Sequence, residues 1–202
     1  MKKSILPVLL AEFLGTFTLC FVVILSISGT YPVPTPVLAG LVLGLFVYSI
    51  GNISGCHINP GVTLGLLSIR KIQGSLAAKY IAAQLLAAML ALLLADLIGI
   101  NLGLIPPTPN VAYLFEFFGM MLFTFGIASV VFDSNKTIVS GLVVGGSLLL
   151  GISFSVLGGA LGILNPAVAL SLSVTDIGYY LVEIIGGVAG FRLYSFIQSR
   201  KI

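Results

Sequence analysis

Charge is scarce in this chain: nine basic and six acidic side chains are spread over 202 residues, 7% of the total, against 58% hydrophobic and a mean hydropathy of +1.20. Soluble domains carry about a quarter charged residues, so that class is excluded and an integral membrane protein remains. Histidine occurs once, at position 57, too few for a zinc-type site. Of the two cysteines, Cys20 falls inside an apolar run and Cys56 in a loop, a placement that excludes a disulfide. No nucleophile, base and orienting group stand together, so no enzyme, cofactor or metal is expected. Long polar loops and low-complexity tails are missing too, which points to one domain over residues 1–202 and argues against gating by a lid.

What is there is hydrocarbon. Apolar runs suited to a ~30 Å bilayer core occur at about Ile5–Ser28, Pro36–Gly51, Leu76–Ile98, Val111–Phe132, Ile138–Leu157 and Ile177–Ile197. The first follows Lys2 and Lys3 as a secretory signal would, but its later counterpart makes it part of a retained, repeated unit. Two shorter stretches, Val62–Ile69 and Val168–Val174, follow Asn59-Pro60-Gly61 and Asn165-Pro166-Ala167. Asparagine caps helices well and proline is best tolerated at the first helical position, so each box starts a helix. About ten residues at 1.5 Å each reach only ~15 Å, half the depth of the core. Irregular backbone at that depth needs protein or a water-filled cavity around it, which implies a polar pathway.

The boxes belong to an internal repeat. Asn59 and Asn165 stand 106 positions apart (165 − 59), Ala11-Glu12-Phe13-Leu14-Gly15 pairs with Phe115-Glu116-Phe117-Phe118-Gly119 at an offset of 104, and Tyr80 to Ala88 pairs with Tyr179 to Gly187 at 99. Each half, about 1–100 and 108–202, reads span, span, half-helix, span. Three spans is an odd number, so the second half sits inverted and the half-helices enter from opposite faces.

Lys2, Lys3, Arg70, Lys71, Lys79, Lys136, Arg200 and Lys201 all flank the spans on one side, while the stretches Ser28–Pro36, Gly99–Asn110 and around Asp176 carry no Lys or Arg. The positive-inside rule therefore places both termini in the cytoplasm. Arg192, about two turns before the end of the last span, is expected to snorkel the same way. The net charge of +3 reports this topology and not a nucleic-acid partner. Pro32, Pro34, Pro36, Pro106, Pro107 and Pro109 punctuate the outer loops, and the 24 glycines are expected to permit close helix approach.

The Ala11 to Phe17 start, the Gly-x-His-x-Asn-Pro-x-Val-Thr-Leu-Gly block at Gly55 to Gly65, the Ala83-Gln84 pair and the second Asn-Pro-Ala together resemble the aquaporin, or major intrinsic protein, family over essentially the whole chain. The resemblance implies an all-α hourglass of six tilted transmembrane helices with two re-entrant half-helices meeting at mid-membrane, packed in the bilayer as a homotetramer with one pore per subunit. It also implies that Glu12 and Glu116 lie beside the re-entrant loops and accept hydrogen bonds from their backbone, as structural props rather than a proton relay. His57 corresponds to a family position lining the cytoplasmic vestibule.

Asn59 and Asn165 would offer side-chain N–H groups to passing water, and each half-helix would aim its positive end at the same point. Water accepting bonds there with its oxygen breaks the chain along which protons hop, and the positive ends repel cations. In a closed bundle both asparagines would be caps only. Departures from the family pattern bear on selectivity. The four positions that narrow the outer pore in the family fall on Ala39, Ser153, Gly162 and Val168, so both the aromatic and the arginine are missing; a one-residue slip would put Leu38 or Gly40 in place of Ala39. A constriction so changed is wider and less polar. The aspartate that glycerol facilitators carry after the second box is replaced by Ala169 and Leu170. The expected function is a passive channel for water and small uncharged solutes such as glycerol, urea or metalloid hydroxides; a secondary transporter and a non-conducting structural protein of the same fold are the rivals.

Gly61 replaces the alanine usual in the first box, which loosens the first half-helix by up to ~1 kcal/mol. Glu183 stands where the repeat has Gln84 and the family often has proline. A lone buried glutamate is expected to be neutral at about pH 7. Nine residues, ~13 Å along a helix, separate it from Arg192, so a subunit-interface role and a pH-sensing one both stay open. Cys56 is either reachable from the pore or packed as an ordinary small residue.

Overall fold

The structure, a computed structural model, describes residues 4–29, 32–100, 109–133 and 138–199. Lys2, Lys3, Pro106, Pro107, Lys136, Arg200 and Lys201 lie outside these residues. Eight helices and no strand are present among the described residues: α1 (Leu6–Ile27), α2 (Thr35–Ser54), α3 (Pro60–Ser68), α4 (Gly74–Leu97), α5 (Pro109–Val131), α6 (Ser140–Leu157), α7 (Pro166–Ser171) and α8 (Ile177–Gln198). Six of them are long and apolar enough to cross a membrane. The other two, α3 and α7, are the half-helices.

Local sequence explains the ends. Pro7 and Pro36 sit in the first turns of α1 and α2, where a missing N–H leaves no bond unmade. Gly55 stops α2 with a φ of 91°, a conformation that only glycine adopts freely. Asn59 and Asn165 are the N-caps, so α3 and α7 begin at Pro60 and Pro166, the first helical positions expected from the two boxes. They end sooner than the apolar stretches suggested, α3 at Ser68 rather than Ile69 and α7 at Ser171 rather than Val174. Both close in the same manner: the Lys71 N–H returns to the Leu66 carbonyl and the Val174 N–H to the Ala169 carbonyl, with Arg70 and Ser173 left-handed at φ 59° and 57°.

The spans invert the pattern of a soluble protein. The packed face of α4 is alanine, with Ala77, Ala83, Ala87, Ala88, Ala91 and Ala95 buried, while Leu86, Leu93 and Leu97 are exposed on its outside. In lipid there is no hydrophobic force between helices, so close approach through small residues does the packing. The crossing of α2 and α6 shows this most strongly: a side chain at Gly40 would meet the Gly145 carbonyl at 2.7 Å, and one at Gly44 the Gly141 carbonyl at 2.9 Å.

Contacts follow the inverted repeat. The α1–α2 and α1–α4 contacts of the first half are matched by α5–α6 and α5–α8 in the second. The half-helices cross over: α3 packs chiefly on α8 and α7 on α4, so each rests on the last span of the opposite half. That exchange brings the two asparagine caps together.

Candidate functional site

The two loops that precede the half-helices hold each other. The Asn59 side chain accepts from the N–H groups of Gly61 (2.7 Å) and Val62 (3.2 Å) with Oδ1, and its Nδ2 donates to the Leu164 carbonyl at 2.8 Å. Asn165 accepts from Ala167 N–H at 3.0 Å and donates through Nδ2 to the Ile58 carbonyl at 3.1 Å. An amide nitrogen carries two hydrogens, so one on each asparagine stays available to the cavity beside them.

The residue before each asparagine is strained. Ile58 and Leu164 have φ of 39° and 52°, in the left-handed region that a branched side chain avoids at roughly 1–2 kcal/mol. Buried carboxylates hold them there. Glu12 accepts four hydrogen bonds: Oε1 from Ser54 Oγ (2.6 Å) and His57 N–H (3.0 Å), Oε2 from Ile58 N–H (2.7 Å) and Gln84 Nε2 (2.9 Å). Glu116 accepts three, from the N–H groups of Gly162 (2.9 Å), Ile163 and Leu164 (2.8 Å). Both side chains are fully buried. Each loop thus turns its N–H groups back onto a glutamate and its carbonyl toward the other loop's asparagine.

A cavity of about 300 Å³ runs along this pair. Its wall takes Leu19, Val23 and Ile27 from α1, Ala39 and Leu43 from α2, Phe123 from α5, Leu148, Ile152 and Val156 from α6, and Val168 from α7. His57, Asn59, Gly162 and Asn165 also face it. Of the four positions expected at the constriction, Ala39, Gly162 and Val168 are on the wall and Ser153 is not. Ser153 turns its hydroxyl onto the Leu149 carbonyl at 2.8 Å, and Ile152, one residue or ~100° around the helix, takes its place. The stripe Leu148, Ile152, Val156 repeats every four residues, the period of one helix face. Gly162 has a φ of 70°, and a side chain there would meet Val156 at 2.8 Å and the Ile152 carbonyl at 3.0 Å.

The His57 ring lies edge-on to Tyr80 with centroids 4.9 Å apart, and its Nδ1 is 3.2 Å from Thr63 Oγ1. Among the described residues no group of His, Cys, Asp and Glu is arranged to hold a metal. Cys56 is buried and is not among the residues on the cavity wall. Arg192 does more than snorkel: its Nη2 donates to the Ser68 carbonyl at 3.0 Å, placing a positive charge at the C-terminal end of α3. Glu183 is fully buried within the single chain, which removes the subunit-interface reading, and both its oxygens lack a partner.

Sequence reasoning missed the braces around the first loop. Gln84 donates to both Glu12 and Thr63 Oγ1 (3.1 Å), and Tyr80 donates to the Ser54 carbonyl at 2.6 Å. The available signal was that Gln84 is a lone amide in the middle of an alanine and leucine span. Phe123 carried no signal, since nothing distinguishes it from the other aromatics of α5.

A family model described as Major intrinsic protein matches residues 1–198. Similar proteins include Aquaporin NIP3-1 of Arabidopsis thaliana, 30% identical over 98% of this chain and 69% of its own length. Aquaporin AqpM of Methanothermobacter marburgensis is 32% identical over 94% of this chain and 96% of its own. Glycerol uptake facilitator protein-like 6 of Lactiplantibacillus plantarum is 34% identical over 78% and 79%. Among solved structures, the aquaglyceroporin from Plasmodium falciparum superposes with a TM-score of 0.75 at 22% identity, covering 98% of this chain and 96% of that one, a likeness of fold. With its inverted halves, its paired asparagine caps and these relatives, the chain belongs to the major intrinsic protein family and is a passive membrane channel for water and small solutes, not an enzyme.

Proposed function

We propose that this channel passes water together with uncharged solutes of the size of glycerol, urea or a neutral metalloid hydroxide, and excludes ions and protons. The observation that carries the reading is the cavity of about 300 Å³ whose apolar wall converges on Asn59 and Asn165. A water needs ~30 Å³, so the space is large enough for several waters or one small polyol. Ala39, Ile152, Gly162 and Val168 form the selective ring in this reading, with no cationic side chain and no aromatic among them. Solutes there meet hydrocarbon on most sides and donors at the two asparagines, which suits a neutral molecule with an apolar flank. The half-helices point their N-terminal ends at that spot and oppose cations. His57 lines the inner vestibule and the loop braces at Glu12 and Glu116 are structural.

The 202 residues act as one channel domain of two halves, 1–100 and 108–202, in the cell membrane. Arg70, Lys71 and Lys79 on one side support cytoplasmic termini. Four copies, each with its own pore, form the working assembly, and no nucleic acid is involved.

Stopped-flow light scattering on proteoliposomes tests the function. Osmotic shrinkage should be faster than in bare lipid vesicles, and re-swelling in glycerol or urea should follow. Shrinkage at the bare-lipid rate refutes water conduction; unaltered re-swelling refutes the wide constriction.

A further inference from the structure

The two loop braces are built alike except in one place. Glu12 receives four hydrogen bonds, the fourth from the Gln84 amide on α4. Glu116 receives three, all from backbone N–H groups of its loop. A carboxylate offers about four lone-pair sites, so Glu116 has one left. The residue that occupies the Gln84 position in the second half is Glu183 on α8, at the offset of 99 that relates the two last spans. Its carboxyl is wholly buried and unpartnered.

Among the described residues, the elements packed around Glu183 place no cation beside it. α8 packs against α5, α3 and α7. Neither α3 nor α7 has a titratable side chain, and α5 contributes Glu116 and Tyr113. The Tyr113 hydroxyl donates to Asp176 at 2.6 Å, and Asp176 also caps α8 through Gly178 N–H. On α8 itself the Tyr180 hydroxyl donates to the Val174 carbonyl, Arg192 is engaged with Ser68, and the Tyr179 hydroxyl is buried without a hydrogen-bond partner. A second bare carboxylate in this place would be a like charge in a low dielectric, with no cation to offset it.

We infer that Glu183 carries a proton and donates it to Glu116, supplying under the second loop the fourth hydrogen bond that the Gln84 amide supplies under the first. The proton stays on the Glu183 oxygen and is shared along the bond; no other group changes charge. Glu183 is then a positioning residue, acting on Asn165 through Glu116 and the Gly162–Leu164 backbone, and the second loop rests on an acid–carboxylate pair.

Infrared spectroscopy of the full-length protein in liposomes near neutral pH, comparing native protein with Glu183→Gln, reads the proton directly. The native protein should show the carbonyl band of a hydrogen-bonded carboxylic acid, and Glu183→Gln should lack it. Because the amide also donates, Glu183→Gln should conduct water within a factor of about two of native. Glu183→Leu, which keeps the bulk and removes the donor, should unfold at a lower temperature than Glu183→Gln. No difference band, or a band at the frequency of a free acid, overturns the inference. So does a Glu183→Leu variant as heat-stable as Glu183→Gln. The band and the unfolding temperatures are independent of which solute the pore passes.

Discussion

Asn59 and Asn165 do the same job with unequal hydrogen bonding, and the inequality is measurable. Asn59 makes three bonds, at 2.7, 3.2 and 2.8 Å, whereas Asn165 makes two, at 3.0 and 3.1 Å. Truncation to alanine removes all of them and leaves buried backbone groups behind. At about 1 kcal/mol net per bond, Asn59→Ala should cost about 3 kcal/mol and Asn165→Ala about 2 kcal/mol. In a chain of this size 1 kcal/mol moves the melting temperature by about 2–4 °C, so the losses are about 6–12 °C and 4–8 °C. Thermal scans by circular dichroism in detergent micelles measure both. Asn59→Asp sharpens the experiment, because aspartate caps as well as asparagine but cannot donate to the Leu164 carbonyl. It should recover the two capping bonds and not the cross-loop one, melting between native and Asn59→Ala. An Asn165→Ala loss equal to or larger than that of Asn59→Ala would falsify this account of the loops.

Other outcomes follow from the same contacts. Glu12→Ala leaves two backbone N–H groups, the Ser54 hydroxyl and one of the two Gln84 amide hydrogens without an acceptor; at ~1–3 kcal/mol each this approaches the whole stability of ~5–15 kcal/mol, so folded protein should be lost on size-exclusion chromatography, and a well-folded variant would contradict the brace. Val168→Arg inserts a long cation into the apolar ring and should reduce glycerol or urea flux more than water flux in stopped-flow assays; equal passage of larger solutes would remove Val168 from the constriction. Gly40→Leu drives a side chain into the Gly145 carbonyl and Leu149 and should cost about 1–3 kcal/mol in thermal unfolding, with no cost meaning that α2 and α6 separate freely. Arg192→Leu removes the charge and hydrogen bond at the end of α3 and should lower the melting temperature by the equivalent of about 1 kcal/mol, while Arg192→Lys restores part of it.

Much of the site was legible because its signals are local. An Asn-Pro pair ahead of an apolar run favours a helix start, so the caps at Asn59 and Asn165 could be read from the residues themselves, whereas the propping role of Glu12 and Glu116 came from the family resemblance. Ser153 failed for a geometric reason: one residue along a helix is ~100° around it, and between α6 and Asn165 lies a loop whose length no periodicity fixes. Ile58 and Leu164 carried no signal either, since their left-handed backbone is imposed by Glu12 and Glu116 from outside the loop.

The number of spans, the two half-depth helices and the inversion of the halves were determined by the chain alone, because hydrocarbon obliges every backbone polar group to be satisfied within its own helix and thereby sets the lengths. The crossing of α3 onto α8 and α7 onto α4 was decided only in three dimensions. So was the face of α6 that meets the cavity, and so was the donation from each asparagine to the opposite loop. Those features depend on which small residues let two backbones approach, and that is a property of pairs of helices rather than of any one segment.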